Sequence, residues 1–478
     1  MEKNEKITFN IDKEKNFSKW YSEILEKAEI TDIRYNVKGF IVTRPLGAVL
    51  IENMYKLWEN ELQEKEHLPV LFPAVIPEEY FKKEESHVKG FSPAVFWLKE
   101  TGEGKLALRP TSETAFYQLY SLWIRSWRDL PLKLYQRANV FRLETKATRP
   151  LIRAREFLWI ESHDVFASRE GAEKQVLEDI GITEKLMHQK LGIPFLALRR
   201  PDWDKFAGAS YTIGSDVLMP DGKVVQQPST HLLSQEFAKS FNIKFKDENG
   251  KEKFVWQTCY GPTMSRILAS LIAIHGDNSG LVLPFCISNI QVIIIPIYTT
   301  KNKTKILEKA KEIEEKLKKQ NIKAKIDDSE KTPGEKFYSS ELRGIPLRIE
   351  LGEKELQGKL TLFLRDTKQK IKVNLNEIEK QGLELDKRLK EKADKNFQNA
   401  VVECKTLEEA KKALNEKRIV KCNFCSTSKE GEKCAEVVEK KLSAFVRGVL
   451  HNKKEKPSGK CIICAKQAKE VVYIAKSY

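Results

Sequence analysis

Apolar and polar residues follow each other in patterns that predict both helices and strands in the first part of the chain. Between Gly47 and Lys65, apolar residues recur at helical spacing and predict one amphipathic helix, with a stripe of Leu50, Met54, Leu57, Trp58 and Leu62. The proline-punctuated apolar run LPVLFPAVIP (68–77) predicts a short buried strand that leaves this helix. A second helix is predicted over Thr111 to Trp127, with Thr111 or Ser112 as its cap.

Two runs rich in aromatic and β-branched residues predict neighbouring strands after that helix. They are KLYQRANVFRLE (133–144) and EFLWIESHDVF (156–166), and the connection between them, TKATRPLIRAR (145–155), is basic. A further helix is predicted over 170–191, and Pro284 closes this first region.

A new unit begins at QVIIIPIY (291–298), which predicts a fully buried strand. A Lys/Glu-rich helix is predicted over 301–320, with the apolar stripe Ile306, Ala310, Ile313 and Leu317. Strand-like runs at 322–326, 346–351 and 360–366, with a helical stretch ending at Arg343, indicate an α/β domain with a mixed sheet. A charged helix over 376–400 then leads to a cysteine-bearing unit. We therefore predict three domains, at 1–284, 285–395 and 396–478.

Composition agrees with this division and adds information on charge. The chain has 478 residues, which at roughly 150 residues per domain corresponds to about three domains. Lys and Arg number 84 against 68 Asp and Glu, so the formal net charge is +16. This excess favours an anionic partner such as a nucleic acid, a nucleotide or an acidic membrane surface. A lysine-rich solvated surface explains the charge equally well.

The hydropathy pattern argues against a membrane protein. The most apolar stretch, Val292 to Ile297, is far shorter than the roughly 20 residues that a spanning helix needs. The charged N-terminal sequence MEKNEKITFNIDKEKNF lacks the apolar segment of a signal peptide. We therefore expect a cytoplasmic protein whose eight cysteines do not form structural disulfides.

Common nucleotide-binding and hydrolytic motifs are missing from the chain. No GxGxxG follows a strand, and GEKELQGK (352–359) has one residue too many between its glycines for a phosphate-binding loop. Neither a GxSxG elbow nor an HExxH motif occurs. Any bound nucleotide phosphates must therefore be held largely by side chains.

Arginines at the junction of the two predicted strands suggest such a phosphate site. In a strand, Arg142 and Glu144 would point to the same face, where Arg142 could pair with a phosphate or carboxylate and Glu144 could accept from an adenine amine. Arg153 and Arg155 on the returning strand would add positive charge. An ordinary cross-strand ion pair is an equally good interpretation of this segment alone.

The second of these strands carries an unusual face. Phe157, Trp159, Glu161 and His163 alternate onto one side, which suits a pocket for a small cationic or amphipathic ligand better than a core. A metal site from Glu161, His163 and Asp164 is weakly indicated, because neighbouring positions in a strand diverge.

Two helix starts offer further polar groups. In RPTSE (109–113), Thr111 and Glu113 could receive an ammonium group, although a simple helix cap explains these residues as well. In GPTMSR (261–266), Arg266 lies near the start of an apolar helix, where it and the helix dipole would attract an anion. The alternative is that Arg266 faces solvent.

Six of the eight cysteines lie after residue 400 and require a local explanation. The tail contains CNFC (422–425), then Cys434, then CIIC (461–464), a spacing typical of a structural zinc site in a reducing compartment. Free buried thiols are the alternative. Five cysteines compete for four ligand places, and Cys259, Cys286 and Cys404 are expected in the core or a pocket.

In combination and order, these segments resemble a known family. FRLE, the basic connection and the late Arg266 resemble motifs 2 and 3 of the class II aminoacyl-tRNA synthetases, and GAVLIENMYKLWENELQEKEHLPVLFP resembles motif 1. RPTSETAFY, RPDWDKFAGASYT and HGDNSGLVLP are similar to the prolyl-tRNA synthetases of the archaeal/eukaryotic type, and the similarity covers nearly the whole chain.

The resemblance implies an α+β fold: a class II catalytic domain on an antiparallel sheet, an α/β anticodon-binding domain with a mixed sheet, and a small zinc-binding α/β domain. It also implies a two-step reaction, in which proline and ATP form prolyl-adenylate and pyrophosphate, and the prolyl group then passes to the 3′-terminal ribose of tRNA(Pro). The implied components are ATP, Mg²⁺, a structural Zn²⁺ and a homodimer formed through motif 1. The roughly 100 residues between the Arg142 region and Arg266 leave no room for a large editing insertion.

The resemblance also assigns roles to individual residues. Thr111 and Glu113 would hold the proline ammonium, and Arg142 would bridge the proline carboxylate and the α-phosphate of ATP. Trp159, Glu161, His163 and His231 would line or support the proline pocket. The ATP side would be formed by Glu144 at adenine, Arg153 and Arg266 at the outer phosphates, Phe157 stacking on adenine, and Gln226 and Ser229 facing ATP and Mg²⁺.

The family spacing selects Cys425, Cys434, Cys461 and Cys464 as zinc ligands and leaves Cys422 as the spare or the substitute. The segment QQPSTHLLSQ (226–235) departs from the family pattern, with Ser229 in place of threonine and with Pro228 and Ser234 expected to stiffen or crowd a loop. Two alternatives remain: a threonyl- or seryl-charging enzyme of the same class, and a tRNA-binding regulatory paralogue without charging activity.

Overall fold

The predicted amphipathic helix lies at the centre of the N-terminal half, where Leu50, Met54, Trp58 and Leu62 are fully buried. The structure is a computed structural model that describes residues 9, 11–85, 95–99, 102, 104–144 and 147–478. The N-terminal segment 1–8 and the first two residues of the basic connection, 145–146, lie outside the described residues.

The helices of this half are α1 (Phe17–Lys27), α2 (Pro45–Glu64), α3 (Glu78–Glu85), α4 (Glu113–Trp123), α5 (Arg169–Thr183, continued by a π-helical segment Glu184–Lys190), α6 (Glu236–Ser240) and α7 (Met264–His275). The strands are β1 (Thr31–Asp32), β2 (Val42–Thr43), β3 (Leu68–Pro69), β4 (Val75–Pro77), β5 (Phe96–Trp97), β6 (Leu106–Leu108), β7 (Leu132–Phe141), β8 (Glu156–Phe166), β9 (Leu196–Arg199), β10 (Ala209–Leu218), β11 (Lys223–Leu233), β12 (Lys244–Lys246), β13 (Glu252–Phe254) and β14 (Trp256–Gly261).

A central antiparallel sheet organises this half in the order β9-β10-β11-β14-β8-β7, with β3 added in parallel at one edge. Helices α2, α5 and α7 pack on one another and on this sheet, and their apolar residues form its main core. Side chains of β8, β14 and β11 are aligned across the sheet, so that His163, Cys259 and His231 form one row. The antiparallel class II sheet implied by the resemblance is confirmed.

Several predicted elements differ from the structure. The 68–77 run is not a buried strand: it contains only the short pieces β3 and β4, and Leu68 and Leu71 are 60% and 87% exposed. Its prolines lack the N–H donors that a strand ladder requires.

The helix predicted over 111–127 is shorter than expected. It runs from Glu113 to Trp123, because the Asp129 carboxylate accepts the main-chain N–H groups of Arg125 and Ser126 (2.8 Å each) and turns the chain out of the helix. Ser112 occupies the N-cap position, but its side chain makes no capping bond; the hydroxyl of Thr111 accepts the N–H of Glu113 at 3.3 Å.

The first strand beside the basic connection, predicted over 133–144, also ends early, whereas β8 has the predicted bounds of 156–166. Strand β7 ends at Phe141 and β8 begins at Glu156, so Arg142, Glu144 and Arg153 lie on the connecting segment and not on the paired strands. Strand alternation therefore does not set the directions of the Arg142 and Glu144 side chains. Residues 226–233 in turn belong to strand β11 and not to a loop.

The middle region folds as an α/β unit on a mixed sheet, as predicted. Its described strands follow the order β16-β15-β17-β18-β19, in which β15, β16 and β17 are parallel and the others are antiparallel. The elements are β15 (Val292–Pro296), α8 (Lys303–Lys319), β16 (Ala324–Ile326), α9 (Pro333–Leu342), β17 (Leu347–Leu351), β18 (Leu360–Leu364), β19 (Lys370–Val373) and α10 (Ile378–Ala400). All five residues of β15 are buried, as is the predicted stripe of α8.

The cysteine-bearing region is joined directly to the central sheet. It contains β20 (Val401–Glu403), α11 (Leu407–Asn415), β21 (Ile419–Phe424), α12 (Glu432–Leu442), β22 (Phe445–Leu450) and β23 (Glu470–Ser477). Strand β22 pairs with β9 and β23 pairs with β11, so one sheet of eleven described strands extends through both regions. None of the helices within the described residues is long and apolar enough to cross a membrane.

Candidate active site

One cavity of about 210 Å³ opens on the face of the central sheet opposite the α2–α5–α7 layer. It collects residues that are far apart in the sequence, because the starts of α4 and α7 meet strands β8, β11 and β14 there. Of the predicted site residues, those lining it are Thr111, Glu113, Arg142, Phe157, Trp159, Glu161, His163, Gln226, Ser229, His231 and Arg266. Glu144 and Arg153 do not line the cavity; they lie beside it, with 3.6 Å between Glu144 Oε1 and Arg153 Nη1.

Glu161 forms most of the hydrogen bonds at the polar end of this cavity. Its carboxylate accepts hydrogen bonds from the Thr111 hydroxyl (3.0 Å), the Ser112 main-chain N–H (2.9 Å) and Gln136 Nε2 (2.8 Å), and lies 3.2 Å from His163 Nε2. Burial alone would raise the pKa of Glu161, but the hydrogen bonds from His163 and Ser112 hold it at about 2. A fully ionised carboxylate is therefore fixed at the base of the cavity.

Glu113 provides a second carboxyl group, whose pKa is raised where that of Glu161 is lowered. It is 2% exposed and accepts from the Tyr117 hydroxyl at 3.0 Å. Burial raises the pKa of Glu113, while the charge of His163 opposes this rise. A cationic group that entered the cavity would stabilise the ionised form of Glu113.

His163 and Trp159 carry unused polar atoms. Among the described residues, the buried Nδ1 of His163 and Nε1 of Trp159 have no hydrogen-bond partner. Burial lowers the pKa of His163, but the bond and charge of Glu161 raise it above its ordinary value overall. Since unpaired buried donors are costly, these atoms indicate a ligand that completes their hydrogen bonding.

His231 supplies a neutral wall. Its Nδ1 lies 2.8 Å from the Thr212 hydroxyl and its Nε2 lies 3.1 Å from the Ser229 hydroxyl. Burial, followed by the nearby Arg200, lowers the pKa of His231 to about 3. The imidazole therefore stays uncharged at neutral pH and packs against Phe206 with ring centroids 4.9 Å apart.

Guanidinium groups gather at the other end of the cavity. Arg142 is exposed at the mouth, donates from Nε to the Pro110 carbonyl (3.1 Å), and lies over the rings of Phe157 and Trp159 at 5.2 and 5.6 Å. Arg266 is held by the carbonyls of Ile152 (3.0 Å) and Gln226 (3.2 Å).

These positive charges repel one another. Burial and then repulsion by Arg142 and Arg153 lower the pKa of Arg266 to about 10. Arg266 therefore lies close to Arg142 and Arg153, and three guanidinium groups in one place form a site for a multiply charged anion.

Tyr478, which sequence reasoning missed, supports this cationic end. Its main-chain oxygen accepts from Arg153 Nη2 at 2.7 Å, and its hydroxyl donates to Asp221 at 2.7 Å. Its ring lies 5.3 Å from the guanidinium of Arg149. Nothing in the sequence around residue 478 indicates this contact, because it depends on β23 pairing with β11.

Gln136 was also missed, although the alternating pattern of a strand could have found it, whereas Cys259 lies in a pocket, one of the two places expected for it. Gln136 bonds both Glu161 and the Ser112 hydroxyl. Cys259 lies in the row between His163 and His231 and lines the cavity. The considered Glu161–His163–Asp164 metal site is not formed, since Asp164 lies on the opposite face of β8, beside His67 and Asp179.

The four cysteines selected by family spacing converge at the other end of the long sheet. The sulfur atoms of Cys425, Cys434, Cys461 and Cys464 all lie within 4.8 Å of one another, and Cys422 is not part of this group. Tetrahedral zinc with Zn–S bonds of about 2.3 Å places its sulfur atoms about 3.8 Å apart, so the donor set fits zinc. When bound, zinc would supply a cross-link between α12 and the 461–464 turn.

The donors assigned to Mg²⁺ do not form a comparable group. The side-chain oxygen of Gln226 accepts from Arg200 Nη2 at 3.2 Å, and the Ser229 hydroxyl is bonded to His231. Neither side chain carries the negative charge that Mg²⁺ prefers in a protein site. These two residues therefore do not fit an Mg²⁺ site by themselves, and no step below depends on this ion.

Comparisons with known proteins agree with the geometry. Three family models match: "tRNA synthetase class II core domain (G, H, P, S and T)" over 96–275, "Anticodon binding domain" over 291–384, and "Prolyl-tRNA synthetase, C-terminal" over 407–478. The proline–tRNA ligase of Thermofilum pendens is 48% identical over 98% of both chains, and that of Methanopyrus kandleri is 42% identical over 97% of this chain and 96% of its own.

Solved structures give the same result. Giardia lamblia prolyl-tRNA synthetase in complex with prolyl-adenylate superposes with a TM-score of 0.94 at 37% identity, covering 98% of this chain and 100% of its own. The Cryptosporidium parvum enzyme complexed with halofuginone and AMPPNP gives a TM-score of 0.91 at 31% identity, covering 98% and 99%. The resemblance stated from the sequence is confirmed, and the chain belongs to the prolyl-tRNA synthetase family of class II aminoacyl-tRNA synthetases.

Proposed function

We propose that this chain attaches L-proline to tRNA(Pro) at the expense of ATP, through a prolyl-adenylate formed in the cavity described above. The observation that carries the proposal is the distribution of charge in this cavity. One end has an ionised carboxylate and a neutral aromatic wall, and the other end has converging guanidinium groups. The first end suits a small amino acid and the second a triphosphate.

Proline would enter with its secondary ammonium towards Thr111 and Glu113. The Thr111 hydroxyl donates to Glu161, accepts the Glu113 N–H at 3.3 Å and keeps one lone pair for a ligand, and Glu113 supplies a counter-charge. The pyrrolidine ring would lie among Trp159, His163 and His231, of which His231 is uncharged. Since proline has no side-chain polar group, selectivity depends on ring shape and on the secondary amine.

Arg142, at the mouth of the cavity, would bridge the proline carboxylate and the α-phosphate. The carboxylate oxygen attacks the α-phosphorus, the bond to the β-phosphate oxygen breaks, and pyrophosphate leaves. Both reactants are anionic, so the guanidinium groups of Arg142, Arg153 and Arg266 would lower their repulsion and stabilise the charge that develops. The protein supplies no nucleophile, which accounts for the missing hydrolase motifs.

The remaining ATP contacts follow from the same arrangement. Phe157, which Arg142 already covers, would stack on adenine, and Glu144 beside Arg153 would accept from the adenine amine. Gln226 and Ser229 line the cavity near Arg266 and would face the nucleotide. Mg²⁺ would accompany ATP, held mainly by the phosphates.

The two alternatives from the sequence are not favoured. The C-terminal family model is specific to prolyl-tRNA synthetases, and the relatives reported above are proline–tRNA ligases over the full chain. A non-charging paralogue would not need the intact set of Arg142, Glu113 and Arg266 in one cavity.

We also propose a homodimer, three functional units at 1–284, 285–395 and 396–478, and one structural zinc. Exposed apolar side chains on the motif 1 segment, Leu68 and Leu71 foremost, support a partner subunit there. The four converged cysteines support the zinc. Light scattering coupled to gel filtration and elemental analysis test these two points. A cytoplasmic location stays a prediction from the sequence.

ATP–pyrophosphate exchange with single amino acids tests the proposed function. We expect exchange with proline, slower exchange with alanine and cysteine, and none with threonine or serine. Exchange with threonine but not proline would refute the assignment. Arg142→Ala should abolish exchange with proline, and Arg128→Ala, at an exposed arginine on the 127–129 turn, should leave it unchanged.

A further inference from the structure

A buried polar network lies directly behind the candidate active site, on the opposite face of the central sheet. Side chains alternate along each strand, so the residues next to the pocket row point away from it. His163, Cys259 and His231 form the pocket row, and their neighbours Ser162, Tyr260 and Thr230 form a second aligned row. The second row is fully buried against α2 and α5.

Helix α5 binds this second row through two side chains one turn apart. Asp179 accepts from the Thr230 hydroxyl at 2.6 Å and from Gln175 Nε2 at 2.8 Å. The Thr183 hydroxyl lies 2.8 Å from the Tyr260 hydroxyl, which also accepts from Trp58 of α2 at 3.2 Å. Strands β11 and β14 are therefore attached to the helical layer at adjacent positions.

Strand β8 joins the same network through Asp164. The Asp164 carboxylate accepts from the Ser162 hydroxyl at 2.9 Å and lies 3.2 Å from His67 Nε2. His67, three residues after the end of α2, places its other ring nitrogen 3.2 Å from the Leu62 carbonyl. Polar atoms of His67, Asp164 and Asp179 all lie within 4.8 Å of one another, and each residue is at most 1% exposed.

The charges of this network balance without a metal ion. His67 places Nδ1 near the Leu62 carbonyl and Nε2 near Asp164, with Gln175 Nε2 at 3.4 Å; burial lowers the pKa of His67, but the charge and hydrogen bond of Asp164 raise it overall. Burial and then the charge of Asp164 raise the pKa of Asp179 to about 7. Asp179 therefore exchanges its proton near neutral pH. His67, Asp164 and Asp179 each already form hydrogen bonds with other groups of the protein.

We propose that Asp179 and the His67–Asp164 pair are positioning residues that fix strands β8 and β11 against α5 and α2, and thereby set the separation of His163 and His231 across the proline pocket. The two strands lie on either side of β14, about 10 Å apart. Thr230 directly precedes His231 and Asp164 directly follows His163, so a shift of either anchor moves a pocket residue. Arg142 and Arg153 lie outside both strands, and Arg266 on α7 is held by Ile152 as well as by β11, so we expect a smaller effect at the nucleotide end; this part of the proposal rests on the proposed function.

The test is a split between kinetic constants for the two substrates. In ATP–pyrophosphate exchange by the full-length enzyme, Asp179→Ala should raise KM for proline at least tenfold and leave KM for ATP within about twofold. Asp179→Asn keeps the shape and a polar partner for Thr230 and Gln175, and should recover most of the loss. Thr230→Val, which removes one hydroxyl and little volume, should raise KM for proline in the same direction.

Asp386→Ala is the matched control. Asp386 is a half-buried carboxylate on α10 that accepts main-chain N–H groups of Phe285 (2.5 Å) and Cys286 (3.0 Å), so its loss tests destabilisation without touching the central sheet. The variant should leave KM for proline unchanged. Thermal unfolding measures how far it is destabilised, and the folded fraction is used to correct kcat.

Three results would overturn the proposal. One is an equal rise of KM for proline and ATP in Asp179→Ala; another is a failure of Asp179→Asn to recover activity in a folded protein. The third is the loss of one equivalent of bound divalent metal in Asp179→Ala relative to the parent, which would make the cluster a metal site. Exchange by the unaltered enzyme tests the proposed function separately.

Discussion

Arg266 offers the sharpest test of how the cationic end works. Two main-chain carbonyls hold its Nε and Nη1 at 3.0 and 3.2 Å, which leaves the rest of the guanidinium for a ligand. Lysine keeps the charge, but its single ammonium nitrogen cannot reproduce the planar fork in which Nε and Nη1 reach the two carbonyls and Nη2 stays available for a phosphate. Glutamine removes the charge and keeps a planar polar group.

The expected magnitude follows from these contacts. One hydrogen bond from a charged group contributes about 1.5–3 kcal/mol, which corresponds to a change of about 10- to 150-fold in kcat/KM. We expect Arg266→Lys to lower kcat/KM for ATP by about tenfold and Arg266→Gln by about 100-fold. KM for proline should change less than about twofold, because Thr111, Glu113 and Glu161 form the other end of the cavity.

The assay is ATP–pyrophosphate exchange with ATP and proline varied in turn. Arg199→Lys is a suitable control, because this exposed arginine lies over Tyr211 and outside the cavity. Retention of the parent's ATP constants in Arg266→Gln, or an equal effect on KM for proline, would show that Arg266 does not act at the nucleotide end.

Three further predictions concern acid stability, zinc and the pocket wall. The pKa of Glu161 is held at about 2, below its ordinary 4.5. The ionised carboxylate therefore stabilises the folded state fully above pH 4.5, and this stabilisation is lost as the pH falls towards 2. In Glu161→Gln, the free energy of unfolding should depend less on pH between 4.5 and 2. Cys434→Ser should release zinc and lower the unfolding temperature, whereas Cys422→Ser should retain zinc, as elemental analysis and calorimetry would show. A Cβ at Gly261 would lie 3.3 Å from the Trp159 ring, so Gly261→Ala should raise KM for proline severalfold, and an unchanged KM would count against Trp159 as a pocket wall.

Local pattern was enough for much of the architecture. The α2 stripe, the buried strand β15 and the α8 stripe follow from hydrophobic spacing alone, because burial of an apolar face dominates those elements. The pattern failed where particular hydrogen bonds or prolines decide the backbone. Asp129 ends the helix at Trp123, and the prolines of 68–77 leave Leu68 and Leu71 exposed.

The candidate site divides in the same way. Residue types at Arg142, Glu161 and Arg266 indicated charge chemistry, and the family resemblance named their partners. Which of them share a cavity was decided by strand pairing: β8, β14 and β11 bring His163 and His231 into one row, and β23 against β11 brings Tyr478 to Arg153.

The amino-acid sequence by itself determined the family, the composition of the charged end and the four cysteines whose sulfur atoms converge, since these depend on residue identity and spacing. The tertiary structure alone decided the protonation of Glu161 and His231, the repulsion among the arginines, and the polar layer around Asp179. The physical reason is that pKa values and electrostatic repulsion depend on burial and on distances between residues that the chain separates by many positions.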